Sequence, residues 1–240
     1  MWQIQQTLQK NLADLDSAFE ITLIDYGSTD GLSKWIWDNF RKFIDEGKLN
    51  FFEVQNDVNW NASKAKNLAH RLANGSYFFN LDADNFISPR DVELIFEAQE
   101  LNYPCHQWSD SWNDGSFGRI GLPKALFLEI GGYDETMLPM GGQDMDLLNR
   151  IHFLGLSIAK LPAPTNHAIQ NSYQDKIKEI VSSVEDPGIF YKSMDDLNFQ
   201  KSKVRLDIEG AIRKDGYATY KGLLNGSPLI INGFNQIQLC

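Results

Sequence analysis

The residues of this chain best suited to chemistry are two aspartates one residue apart, Asp82 and Asp84, closing the stretch SYFFNLDAD over positions 76–84. Tyr77, Phe78, Phe79 and Leu81 are the aromatic and branched residues of a buried parallel strand. In an open α/β sheet the carboxyl ends of strands face the ligand crevice, so both acids arrive where a ligand binds. Two hard oxygen donors there suit a divalent cation, and such a cation can carry a diphosphate. The alternative is a plain turn, with the Asp-Ala-Asp-Asn side chains capping their own backbone.

Regular elements must hold that pair. Ile4, Leu8, Leu12 and Leu15 recur at helical spacing, and the run EITLID over 20–25 reads as a strand ending in Asp25. YGSTDG over 26–31 is a turn able to cap the helix expected over 32–44, which Gly47 stops. A strand over 49–54, a helix over 61–73 and the SYFFNLDAD strand follow; Ser88-Pro89 then opens a helix to about residue 99. Strands alternating with helices imply βαβ units, a parallel sheet and right-handed crossovers.

Residues 101–118 carry His106, Trp108, Trp112 and Phe117 among polar residues and read as a long loop, of the kind that is usually functional. A strand over 117–122, a short helix from Pro123 to residue 130, a helix over 143–153 ended by Gly155 and a last strand over 156–161 complete this part. Beyond it, helices over 175–184 and 195–214 have no clear sheet partner, and 228–240 reads as extended or loose.

The totals exclude several classes. With 42% hydrophobic residues and 22% charged, the 240-residue chain can build a sizeable core. A net charge of −10 argues against a nucleic-acid partner and requires a local cation, lysine or helix N-terminus wherever an anion binds. Cys105 and Cys240 form neither a disulfide framework nor a metal-ligand spacing, and no apolar run reaches membrane-spanning length. The expectation is a soluble, cytoplasmic protein whose membrane contact, if any, is peripheral.

IDYGSTDG (24–31), NASKAKNLA (61–69), NLDAD (80–84) and GRIGLPKALFLEIGGYDETMLPMGGQDMDLLNRIHFLGLSI (118–158), in that order, resemble GT-A fold glycosyltransferases of the family 2 type. The second half is most similar to their galactosyltransferase-type segment. The resemblance implies an α/β fold with a mostly parallel, Rossmann-like sheet flanked by helices. It places the transferase domain at 1–170 and a C-terminal helical extension and tail at 171–240. It also implies an inverting transferase that moves a hexose or N-acetylhexosamine from a nucleotide sugar, UDP-linked by expectation, to a hydroxyl of a glycan or polysaccharide acceptor.

Carried over, Asp84 is the direct ligand of Mn2+ or Mg2+, and Asp82 contacts ribose or the metal. Asp25 would bond the nucleobase, or simply cap the next turn. Lys66 would touch base or phosphate, or sit solvated on a helix face. Asp144 matches the general base that takes the acceptor's proton. As an alternative or in addition, it stabilises a helix N-terminus. Gly141 and Gly142 would let the backbone approach a sugar closely, and Gln143, replacing the family's glutamate, could bond the acceptor. Asp146 would orient this loop or lie on the helix surface. His167, in TNHAIQ, is the candidate third metal ligand, and Trp112 with Trp108 forms either a sugar platform or a loop anchor.

At the front the chain departs from the family. The usual first strand, part of the nucleotide pocket, is lacking, and LIINGF (229–234) is a candidate to replace it. The rival reading is a non-catalytic glycan- or nucleotide-binding relative. A sugar nucleotidyltransferase would need a glycine-rich N-terminal loop with a basic residue, and the chain has none.

Overall fold

The structure is a computed structural model and describes residues 2–15, 18–56, 59–112, 114–234 and 236–239. Cys240 lies outside the described residues; Cys105 is buried and in no disulfide.

The first half alternates helices and strands as the periodicity requires. Helix α1 (Trp2–Asp14) turns Ile4, Leu8 and Leu12 inward, against Leu32, Ile36, Phe40 and Ile44 of α2 (Leu32–Asp45). Strand β1 (Ile21–Asp25) runs parallel to β2 (Leu49–Val54), with Asp25 opposite Glu53. Helix α3 (Ala62–Leu72) starts where the Asn61 side chain accepts from the Lys64 amide, which fixes the phase that aims Lys66. Strand β3 (Tyr77–Phe79) follows. Ser88 and Asp91 then cap α4 (Pro89–Glu100) reciprocally, with Pro89 in the first turn.

Two short strands, β4 (Cys105–His106) and β5 (Ile120–Pro123), frame the aromatic loop, and α5 (Lys124–Glu129) follows directly. After α6 (Gln143–Phe153), strand β6 spans only Ala159–Lys160. Helix α7 (Tyr173–Ile177) is shorter than the periodicity suggests. Helix α8 (Pro187–Glu209) begins earlier than expected, because Asp186 caps it and Pro187 fits its first turn.

The strands form two sheets, in the orders β1-β2-β7-β8-β9 and β3-β5-β4-β6, where β7 is Tyr220–Leu224, β8 Ser227–Asn232 and β9 Gln236–Leu239. The α/β class holds, but parallel pairing is confined to β1–β2 and β4–β6 among the described strands. The other pairs are antiparallel, because β5 returns from the aromatic loop and β7–β9 are joined by tight turns. The stretch read as extended or loose is extended, and its β8 and β9 add strands to the sheet. Its apolar residues Leu229 and Ile231, with Tyr220 of β7, pack on Phe52 and Leu68.

Strands β1 and β3 end their respective sheets and face a cavity of about 840 Å³ that reaches Lys66, Asp82 and Asp84. LIINGF does not fill this place, contrary to expectation. Its strand, β8, lies across β2 and β7 from β1, held there by pairing with β7 from Tyr220↔Ile231 to Leu224↔Ser227.

A buried ionic cluster clamps α6 to the C-terminal part. Asp146 accepts from Arg150 Nε at 2.7 Å, Ser202 Oγ at 2.7 Å and Arg213 Nη2 at 3.4 Å. Asp134 takes Arg205 Nη1 on both oxygens, at 2.9 and 2.8 Å, and Arg213 Nε at 3.1 Å. Asp146 therefore lies in the core rather than on the helix surface. It orients the turn of α6 that carries Asp144.

Candidate active site

Helix α3 brings Lys66 to the start of α6. Its ammonium donates to Asp144 Oδ1 at 2.8 Å and lies 3.4 Å from Asp82 Oδ1, so one lysine joins the two acids. Asn67, the next residue, fixes this approach: its amide donates to Tyr133 O at 2.9 Å and to Glu135 at 3.0 Å, and accepts from the Tyr133 amide at 2.7 Å. The Tyr133 ring centre lies 5.5 Å from the ammonium. Lys66 is thus a buried bridge and not a solvated surface residue. Burial alone would lower its pKa, but Asp144 and then Asp82 hold it well above the ordinary lysine value. Gly118 forms the floor here, since a Cβ on it would come within 3.0 Å of Asp82, 3.2 Å of Lys66 and 3.4 Å of Asp144.

Asp144 and Asp82 differ in environment. Burial pushes the Asp144 carboxyl up against the pull of Lys66. In Asp82 burial acts the same way, but Lys66 and the Asn80 amide, donating at 2.9 Å, outweigh it and lower the group. Asp82 is also the more open of the two, with 39% of its side chain exposed against 13% for Asp144. Neighbouring carboxylates pushed apart in this way can hold different roles at one pH.

Asp84 faces the same cleft. Burial, then the charge of Asp82, raise its carboxyl to about 6. Its oxygens accept from Asn85 Nδ2 at 2.7 Å and Asn171 Nδ2 at 2.5 Å, neutral donors that orient the group without cancelling its charge. A divalent cation fits this pair. Its donors are hard oxygens, and burial together with the neighbouring Asp82 charge, which raise Asp84, are what a bound cation would offset. The plain-turn alternative for Asp-Ala-Asp-Asn accounts for Asn85 but offers no such offset.

His167 does not close a three-ligand cage. Among the described residues no three His, Cys, Asp or Glu side chains converge to hold an ion. The reason is local: the Ile169 amide donates to Asp84 O at 2.8 Å, so the 165–171 stretch meets Asp84 through its backbone and Asn171, and His167 points to solvent.

Gly141 and Gly142 have positive φ, 84° and 74°, and lead into α6. A Cβ on Gly141 would come 2.8 Å from the Asp195 Cα, and one on Gly142 would come 2.9 Å from the Asn198 Cβ. The close neighbour that these glycines admit is α8, where close approach to a sugar was expected. Asn198 completes the clamp, donating to Gly141 O at 2.7 Å and accepting from the Leu138 amide at 2.8 Å. Gln143, next to them, is 9% exposed; its Nε2 lies 3.4 Å from Asp144 Oδ2 and its Oε1 has no partner. That oxygen is buried and unpaired.

Asp25 ends β1 and accepts from the Ser28 amide at 2.8 Å, so it does cap its turn. It is buried, and burial raises its pKa against that bond. Trp112 is 61% exposed and lies on Phe117, rings 5.0 Å apart at 27°, with Trp108 at 4.9 Å. The indoles therefore anchor the loop while one of them keeps an open face. His106, against the same cluster, feels the charge of Asp144. Sequence reasoning passed over Gly118, Tyr133, Asp195 and Lys176. Their only signal is contact across more than one element, which no local pattern encodes.

Solved structures with this fold include S. aureus TarS residues 1–349, at 14% identity and TM-score 0.52, covering 85% of this chain and 68% of that one. A longer S. aureus TarS structure gives 13% identity and TM-score 0.53, with 85% of this chain covering 41% of that one. A Drosophila β1,4-galactosyltransferase 7 mutant in complex with manganese, UDP-Gal and xylobiose is a looser likeness, at 13% identity, TM-score 0.47 and coverages of 91% and 93%. No curated protein matches the chain. The family model for glycosyl transferase family 2 matches residues 3–130, more than half of the 240 residues. With its α/β architecture and the acids of its cleft, the chain belongs to glycosyl transferase family 2.

Proposed function

We propose that this glycosyltransferase is metal-dependent and inverting, and moves a hexose or N-acetylhexosamine from a UDP-sugar to a hydroxyl of a glycan. The observation that carries the reading is the Lys66 bridge. It sets Asp144, at the start of α6, directly across from the Asp82 and Asp84 pair after β3.

In this reading Asp82 and Asp84 hold Mn2+ or Mg2+. When bound, the ion supplies Lewis acidity to the departing phosphate oxygen. Asp144 takes the proton of the acceptor hydroxyl, and the burial that raises its pKa makes it a stronger base than an exposed aspartate. Lys66 keeps Asp144 aimed at the reacting centre and shares its charge with Asp82. Gln143 lies next to Asp144 as a hydrogen-bonding neighbour of the acceptor, the backbone of Gly141 and Gly142 lies beside it, and the open face of Trp112 receives an apolar sugar face. Asp25, at the end of β1, bonds the nucleobase. Attack from the Asp144 side, opposite the diphosphate, inverts the anomeric carbon.

Incubation with Mn2+ and a panel of nucleotide sugars tests this. Slow donor hydrolysis is expected, lost in Asp84→Ala and dependent on added metal. Failure of every donor to bind or turn over would sink it.

A further inference from the structure

A second cation, taken up by no acid among the described residues, belongs to the segment that seats against Asp84. Lys176 lies on α7, whose start is fixed by reciprocal capping between Ser172 and Asp175. Just before the cap, Asn171 donates to Asp84 at 2.5 Å and accepts from Gln3 at 2.9 Å, which seats α7 at the rim of the acid pair. The Lys176 ammonium lies 5.6 Å from the ring centre of Tyr173 and 5.1 Å from that of Tyr191. The two rings are 5.4 Å apart, inclined at 42°. Among the described residues this ammonium makes no ion pair and no hydrogen bond, yet its charge reaches Asp84 on one side and Asp195 on the other.

The other cations near Asp84 are committed. Lys66 is held by Asp144 and Asp82. Arg119 is buried, with Gln107 Oε1 at 2.7 Å and Phe86 O at 2.8 Å as its acceptors. A cation over aromatic faces gains less than one bonded to a phosphate oxyanion, so Lys176 is held in readiness rather than used.

We infer that Lys176 is a diphosphate-binding residue: its ammonium leaves the faces of Tyr173 and Tyr191 to donate to the diphosphate oxygens of the nucleotide sugar. This rests on the glycosyl-transfer reading. As the acceptor oxygen bonds to the anomeric carbon, its proton passes to Asp144. The bond from that carbon to the diphosphate oxygen breaks with its electron pair, and the N–H groups of Lys176 receive the charge that builds on the departing group.

Calorimetric titration of the full chain with UDP and Mn2+, and separately with uridine, tests the assignment in Lys176→Met and Lys176→Arg. Methionine keeps the length of the side chain and its contact with the rings. Lys176→Met is expected to weaken UDP by about tenfold, with Lys176→Arg staying within about threefold of wild type. Uridine, which carries no phosphate, should bind all three alike. Equal UDP affinity in Lys176→Met overturns the assignment, and so does a parallel loss of UDP and uridine, which marks a merely structural role. Absence of UDP binding in the wild type itself overturns the nucleotide-sugar reading, and the assignment falls with it.

Discussion

Lys66 and Asp144 meet at 2.8 Å although 78 positions separate them in the chain. Both side chains are nearly buried, so neither can lose its partner without leaving a charge in a poorly solvated place. Lys66→Met should therefore cost about 3 kcal/mol of unfolding free energy at neutral pH. The double variant Lys66→Met/Asp144→Asn should recover a good part of it, a coupling of about 1–3 kcal/mol in a urea-denaturation cycle. Additive losses would mean that the pair is not energetically joined.

His70 predisposes the fold to acid. It is stacked between Phe78, rings 5.2 Å apart, and Tyr133, 6.1 Å apart, with a buried Nε2 that has no partner. Burial, then the charge of Lys66, push its pKa down to about 3, from an ordinary value of 6.5. Above pH 6.5 the ring is neutral folded and unfolded, and it imposes no cost. Below that pH the unfolded chain binds a proton that the folded chain refuses, so stability falls by about 1.4 kcal/mol per pH unit until about pH 3. His70→Phe keeps the stacking and removes the titration. Between pH 7 and pH 5 the wild type should lose about 2 kcal/mol more than this variant by chemical denaturation. Equal pH slopes would show that His70 is protonated in the fold.

The glycine loop should be intolerant for a reason specific to α8. Gly141→Ala combines φ +84° with a Cβ placed 2.8 Å from the Asp195 Cα, and should cost about 2–3 kcal/mol while raising the acceptor KM. Gly155→Ala shares the positive φ, +75°, but meets nothing within 4 Å, so about 1 kcal/mol is expected and no kinetic change. Thermal melts and acceptor titrations of the two variants separate backbone strain from contact with α8.

The positions of several candidate residues in the fold were legible because their signals are local. The strand-then-acid pattern places Asp82 and Asp84, Ser88 with Pro89 and Asp91 marks the start of α4, and the ordered motifs identify Asp144. What failed to show depends on distant segments. The β7 strand pairs with β2, setting Phe52 opposite Leu224, and a strand of five residues carries no sign of which edge it will take. The clamp of α8 on the glycine loop and the burial of Asp146 by Arg150, Ser202 and Arg213 likewise arise only once these elements meet. His167 looked like a ligand because it follows the last strand, but the backbone bond from Ile169 to Asp84 turns it outward.

Asp144→Asn, assayed with UDP-sugar donor, glycan acceptor and Mn2+, addresses the reaction at its centre. The amide keeps the shape of the side chain and cannot take the acceptor's proton, so kcat should fall by about a thousandfold or more, with donor affinity close to wild type. Transfer at an undiminished rate in this variant would contradict the assignment of Asp144 as the base.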